Sequence, residues 1–204
     1  MSGRAPEPRL AAVVLAAGSS RRFGANKLLE LFQGEPLVVH AIRAACAAPV
    51  ERIVVVKQPN AEVTRHCRAI ADADPRVELI ALESAFLSES LRAGLQAVTD
   101  ADGVFVFLGD MPLTPPHLAA RLADKLGDRF AAVPTCQGRP GHPVLLSARA
   151  AALAQHLSGD QGAGALLRRL ASDVAHFETH DDRVIFDVDT REDYERLGVR
   201  GRLE

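Results

Sequence analysis

Between Leu15 and Lys27 the chain reads LAAGSSRRFGANK, in which small residues give way to hydroxyls and then to Arg21, Arg22 and Lys27. Small residues let a backbone approach a ligand closely, and the hydroxyls and cations that follow say the ligand is anionic. Neither common phosphate fingerprint is present. Gly18 and Gly24 enclose five residues and Ala25 follows, where a P-loop needs four and then Lys-Ser or Lys-Thr, and Gly18 has no partners for GxGxxG. What remains is a loop whose N–H groups and hydroxyls can surround phosphates, with Arg22 and Lys27 as fixed positive charge, or else a solvated basic turn. A lysine in a loop seldom carries folding energy, so Lys27 is expected to matter little for stability.

Two acids could complete such a site. Asp110 follows an apolar run in FLGDMP, where Gly109 permits a tight turn and Pro112 stiffens the exit. Mg2+ takes hard oxygen ligands and commonly uses only one or two carboxylates plus substrate phosphates. Asp189 in DVDT is the natural second ligand: RVIFDVD reads as a strand, on which Asp187 and Asp189 share a face. Asp189 could equally be, with Thr190, a cap for the helix TREDYERL. Ser88 and Ser90 in SESLRAGL stand at a helix start, where free N–H groups favour an anion or sugar hydroxyl, although Ser88 could simply cap the helix. His142, alone between Gly141 and Pro143, orders a loop more readily than it serves as a metal ligand or acid–base group.

The elements that must position these residues are legible in the pattern. Apolar runs at Ala11–Ala16, Arg52–Val56, Val77–Leu82, Gly103–Leu108 and Phe130–Val133 read as strands buried on both faces. Leu91, Leu95, Val98 and then Leu118, Leu122, Leu126 form helical stripes between them. After Pro143 come a strand PVLLS, helical stretches around Leu153 and Leu166, and late strands VAHFE and RVIFDVD. Alternation of this kind predicts a single-domain α/β, Rossmann-like fold with a mostly parallel sheet flanked by helices, residues 1–9 forming a tail and 10–200 the domain. Ligands then bind beyond the carboxyl ends of the strands, where the loops after the first, fourth and last strands can meet.

Composition narrows the class. The 204 residues carry 26 acids against 24 bases, a net charge of −2, which gives no basic excess for nucleic acid. Cys46, Cys67 and Cys136 are odd in number and lack a CxxC, which fits a reducing compartment without disulfides or a thiolate zinc site. A polar start, and no apolar run near the roughly 18 residues that span a bilayer, predict a cytoplasmic protein with no membrane partner.

The pattern LAAGxSxRxGxxK, met by Leu15, Ala16, Ala17, Gly18, Ser20, Arg22, Gly24 and Lys27, resembles the signature of the molybdenum cofactor nucleotidyltransferases. The likeness continues in order through SESLRAGL, FLGDMPL, GRPGHPVLL, GDQGAGALL and DVDTREDY. LAAG and GHPVLL are most similar to the cytidylyltransferase branch. The resemblance implies the nucleotide-diphospho-sugar transferase type of fold and CMP transfer from CTP to molybdopterin cofactor, with Mg2+ on Asp110 and Asp189. A molybdoenzyme or its chaperone would be the protein partner. It implies that Arg22, Lys27 and Asp110 are catalytic. Leu15, Ala16, Ala17, Gly18, Ser20, Ser88, Ser90 and Gly109 would hold the nucleotide, and His142 and Asp160 would face the acceptor. Gly164 departs from the pattern, since many relatives carry Arg there. A guanylyltransferase, transfer to another phosphorylated acceptor, and a non-catalytic carrier on the same fold are the alternatives.

Overall fold

A computed structural model describes residues 8–18 and 23–200. Along the chain run β1 (Leu10–Ala16), β2 (Leu31–Phe32), β3 (Glu35–Pro36), α1 (Leu37–Cys46), β4 (Arg52–Lys57), α2 (Ala61–Ala71), β5 (Val77–Ala81), α3 (Leu87–Ala97) and β6 (Gly103–Leu108). Then follow α4 (Leu118–Leu126), β7 (Ala131–Cys136), β8 (Arg139–Pro140), β9 (Val144–Ser147), α5 (Ala148–Ala154), α6 (Ala163–Arg169), β10 (Val174–Glu178) and α7 (Arg191–Arg200). The main sheet has the order β10-β7-β9-β6-β1-β4-β5, with β8 on β7. It is parallel except for β9, which runs against β6 and β7, and the short β8. Among the described residues no helix is long and apolar enough to cross a membrane.

β1 lies at the centre, paired in parallel with both β4 and β6, and all of its residues are buried. Its side chains alternate between two apolar layers. Ala12, Val14 and Ala16 face the layer under α1, α2 and α4, while Ala11, Val13 and Leu15 face the layer under α3, α5 and α6. Burial of a whole strand explains why its sequence is a continuous apolar run. Against β1, α3 packs without clearance: a Cβ on Gly94 would fall 2.3 Å from Cγ1 of Val13, so only glycine fits. That contact sets how closely α3 packs on the middle of β1.

Three expectations need correction. Val77–Leu82 is not buried on both faces: β5 is an edge strand with partly exposed residues, because a sheet edge has a neighbouring strand on one side only. RVIFDVD forms no strand. Asp181 accepts a hydrogen bond from the Arg183 N–H at 3.1 Å and starts a 3-10 turn over Asp182–Ile185. The chain then runs extended outside the sheet and buries Phe186 and Val188 in a third cluster with Phe23, Leu37, Leu113 and Leu197. Alternation of apolar and acidic residues suits any extended segment with one buried side, laddered or not, so Asp187 and Asp189 still both turn away from the core. Asp189 does not cap α7 either. Thr190 Oγ1 accepts from the Asp193 N–H at 3.2 Å, and the Asp193 carboxylate accepts from the Thr190 N–H at 2.9 Å, a reciprocal capping box.

Candidate functional site

The loops after β1 and β6 and the extended segment before α7 converge at the carboxyl edge of the sheet. Asn26 Oδ1 accepts from the Leu28 N–H at 3.3 Å and opens a 3-10 turn at Lys27–Leu29. Leu28 plugs into the core, so Lys27 is carried inward, and it is only 8% exposed. From the other side Gly109 donates its N–H to the Leu15 carbonyl at 2.9 Å, which holds the end of β6 against β1 and presents Asp110. The Val188 N–H donates to the Asp110 carbonyl at 3.0 Å and ties in the segment that carries Asp189. α7 locks the arrangement from outside, with the Tyr194 hydroxyl donating to the Leu31 carbonyl at 2.7 Å and Arg191 paired with Glu30 at 2.9 Å.

Lys27 Nζ lies 2.7 Å from Asp110 Oδ2 and 2.7 Å from Asp189 Oδ1. Burial works to lower the Lys27 pKa. The Asp110 carboxylate and then Asp189 overcome it and hold the ammonium above its ordinary value, so it is charged throughout the physiological range. Asp187, next to the pair, is pushed up by burial of its carboxyl and by the negative charges of Asp110 and Asp189. Among the described residues no three His, Cys, Asp or Glu side chains gather to hold a metal. Two carboxylates aimed at one cationic point nevertheless match the protein share of a Mg2+ site, whose other ligands are water and substrate phosphate.

Beside this triad opens a cleft of ≈ 270 Å³. Of the residues assigned to the nucleotide, Leu15, Ala16, Ala17, Gly18, Lys27 and Ser90 line it, with Asp110 and Asp160. Gly109 lies beneath it, in contact with Leu15 and Ala16. Ser20 and Arg22 lie outside the described residues. Ser88 does not cap α3: Phe86 stands at the cap position, and the Glu89 carboxylate accepts from the Ala85 and Phe86 N–H groups at 2.8 and 3.3 Å. The Ser88 hydroxyl is buried, has no hydrogen-bond partner among the described residues and is not among those lining the cleft, whereas Ser90 shares a 2.8 Å hydrogen bond with Ser84 at its wall.

A second cavity of ≈ 320 Å³ shares Leu15, Leu87, Leu108 and Asp160 with the first and adds His142, Gly164 and Arg168. His142 is held by its N–H to the Val184 carbonyl at 2.8 Å and by Nδ1 to the Val106 carbonyl at 3.2 Å. Gly141 just before it has no room for a side chain, since a Cβ would meet the Val184 carbonyl oxygen at 2.2 Å. Burial lowers the His142 pKa against the opposing pull of the Val106 carbonyl and Asp110. His142 and Asp160 thus do meet in one place. Reading the sequence missed Ser84, Phe86, Leu87 and Arg168; the signal available was two large apolar residues, Phe86 and Leu87, at a helix start, where they remain 45% and 39% exposed.

The mostly parallel sheet covered by helices, with a cleft and a lysine held between two acids at its carboxyl edge, has the fold of the nucleotide-diphospho-sugar transferases. The chain belongs to the MobA-like NTP transferase domain family, whose profile matches residues 12–174. It is 30% identical over 200 residues to the purine catabolism protein PucB of Bacillus subtilis (strain 168), which spans 93% of this chain and 96% of that protein. The crystal structure of a Mycobacterium sp. strain JC1 homolog of Mycobacterium tuberculosis rv0371c superposes with a TM-score of 0.80 at 29% identity, over 96% of this chain and 98% of that one. A manganese complex of Rv0371c from M. tuberculosis H37Rv gives 0.77 at 27% identity, over 93% and 97%. The chain is therefore a nucleotidyltransferase of this family.

Proposed function

We propose that the protein moves CMP from CTP to the phosphate of a molybdopterin-type cofactor in a Mg2+-dependent reaction carried by the domain spanning residues 10–200. An acceptor phosphate oxygen attacks the α-phosphorus. The bond from that phosphorus to the bridging oxygen of the β-phosphate breaks, and pyrophosphate leaves with the electron pair. The nucleophile is ionised at neutral pH, so no general base is needed, and catalysis rests on positioning and on neutralising charge.

The observation that carries this reading is the Lys27 ammonium held at 2.7 Å by both Asp110 and Asp189 at the side of the cleft. Lys27 and Arg22 meet the triphosphate, and the Leu15–Gly18 backbone with Ser90 surrounds the nucleoside. When bound by Asp110 and Asp189, Mg2+ supplies positive charge to the phosphate oxygens on which negative charge grows. The manganese complex of the related mycobacterial protein supports a divalent ion. The likeness of LAAG and GHPVLL to the cytidylyltransferase branch supports CTP over GTP.

The test incubates the protein with Mg2+, molybdopterin cofactor and CTP, GTP or ATP in turn, and measures pyrophosphate release, with calorimetry of the three triphosphates alongside. CTP is expected to bind most tightly and to give the fastest release. Equal or tighter binding of GTP removes the cytidylyl assignment and leaves nucleotidyl transfer standing. No release with any triphosphate removes the molybdopterin acceptor.

A further inference from the structure

The acceptor of such a reaction brings a second multiply charged anion up to a bound triphosphate, and that repulsion has to be met by protein charge on the acceptor's side. Lys27 is already shared between Asp110 and Asp189. The second cavity shares the wall of Leu15, Leu87, Leu108 and Asp160 with the cleft, which sets it beside a triphosphate bound there. Of the polar groups in it, Asp160 repels an anion. His142 is kept neutral at physiological pH by its burial. Arg168 alone, among the described lining residues, carries permanent positive charge.

Its geometry suits the task. Arg168 lies one turn beyond Gly164 on α6, and its Nη1 stands 3.7 Å from where a Cβ of Gly164 would be, so the guanidinium lies over the bare backbone at 164. It forms no hydrogen bond or ion pair with any described residue. A planar guanidinium that is not committed elsewhere offers two parallel N–H groups to phosphate oxygens. The missing side chain at 164 leaves it the space to do so.

We infer that Arg168 grips the phosphate monoester of the acceptor, and that the second cavity takes a small phosphorylated molecule. The assignment deepens the transfer reading and rests on it. It makes Arg168 a binding and specificity residue, which neither His142 nor Asp160 can be for a dianion.

The experiment compares the full chain with Arg168→Ala, Arg168→Lys and the double variant Arg168→Ala/Gly164→Arg, each saturated with a non-hydrolysable CTP analogue. Molybdopterin binding is followed by pterin fluorescence and inorganic phosphate binding by phosphorus NMR. Arg168→Ala is expected to weaken both ligands about ten- to a hundredfold, the span set by a charge-assisted bidentate contact. Triphosphate affinity should stay within about twofold. Arg168→Lys should recover only part, and the double variant most, because residues four apart share a helix face and no backbone stands in the way at 164. Unchanged binding of both ligands in Arg168→Ala overturns the inference, as does a loss that falls equally on the triphosphate, or a wild-type protein that binds neither ligand. A wild-type protein that binds both in an Arg168-dependent way but releases no pyrophosphate from authentic triphosphates leaves Arg168 as the phosphate-binding residue of the second cavity and removes transfer to molybdopterin.

Discussion

Replacing Lys27 with Met keeps the aliphatic stem and deletes the charge, and the structure says what that does. Two contacts of 2.7 Å are lost, and Asp110 and Asp189 are left facing one another. Hydrogen bonds to charged groups contribute about 1.5–3 kcal/mol each, and breaking one partner out of a buried ion pair costs about 3–5 kcal/mol. The two carboxylates are 21% and 31% exposed, so water relieves part of the repulsion. An expected cost of about 2–4 kcal/mol follows, which for a domain of this size lowers Tm by roughly 4–16 °C. This reverses what a loop lysine suggests from sequence alone. On the proposed metal role of the pair, losing the ammonium also removes the charge that competes with Mg2+. About 10 mM Mg2+ should therefore restore part of the variant's stability in urea unfolding at pH 7.5 while moving the wild type less. Pyrophosphate release should drop about thirty- to a thousandfold, equivalent to about 2–4 kcal/mol of transition-state stabilisation. A variant as stable as the parent and indifferent to Mg2+ would refute the reasoning and return Lys27 to a solvated turn.

Because Thr190 and Asp193 cap α7, Asp189→Asn should leave Tm close to that of Asp110→Asn, and turnover against Mg2+ concentration should show the two changes to be non-additive. Parent-like Mg2+ dependence in Asp189→Asn would detach that residue from the metal. The buried, neutral His142 has a lowered pKa, so its contribution is complete above the ordinary histidine value of about 6.5. It is lost as pH falls through that value, since the unfolded chain takes up the proton first. Urea unfolding between pH 7.5 and 5 should show that loss in the parent, and His142→Gln should flatten it. Gly94→Ala drives a methyl to 2.3 Å from Val13 and should cost about 1–3 kcal/mol in urea unfolding despite alanine's better helix propensity; a neutral result would mean that α3 can back away from β1.

Much of this molecule is local enough to read from the chain. The runs at β1, β4 and β6 are apolar without interruption because both faces of those strands are covered, and a period of that kind survives any tertiary arrangement. The small residues of LAAG and the turn at Gly109 likewise declare themselves by type. Of RVIFDVD only the half from Phe186 on is an extended segment with one buried side, and it joins no sheet, since hydrogen-bond partners leave no trace in an alternating pattern.

What depends on contacts distant in sequence only the folded chain could decide. Lys27 and Asp189 are 162 positions apart, and nothing near either residue says that one ammonium will be shared with Asp110. Whether Asp189 caps a helix or faces a cation turned on Thr190 and Asp193, which satisfy the helix end, while the Asp189 carboxylate pairs with Lys27. The sequence by itself determined a loop of small, hydroxyl and basic residues, two acids after apolar runs and the α/β scaffold, because residue type and short spacing dictate those. The tertiary structure alone decided that the lysine is a buried strut and that Arg168 stands over Gly164 beside a second cavity. Charge pairing and shared walls are relations between surfaces that meet only after the sheet has closed.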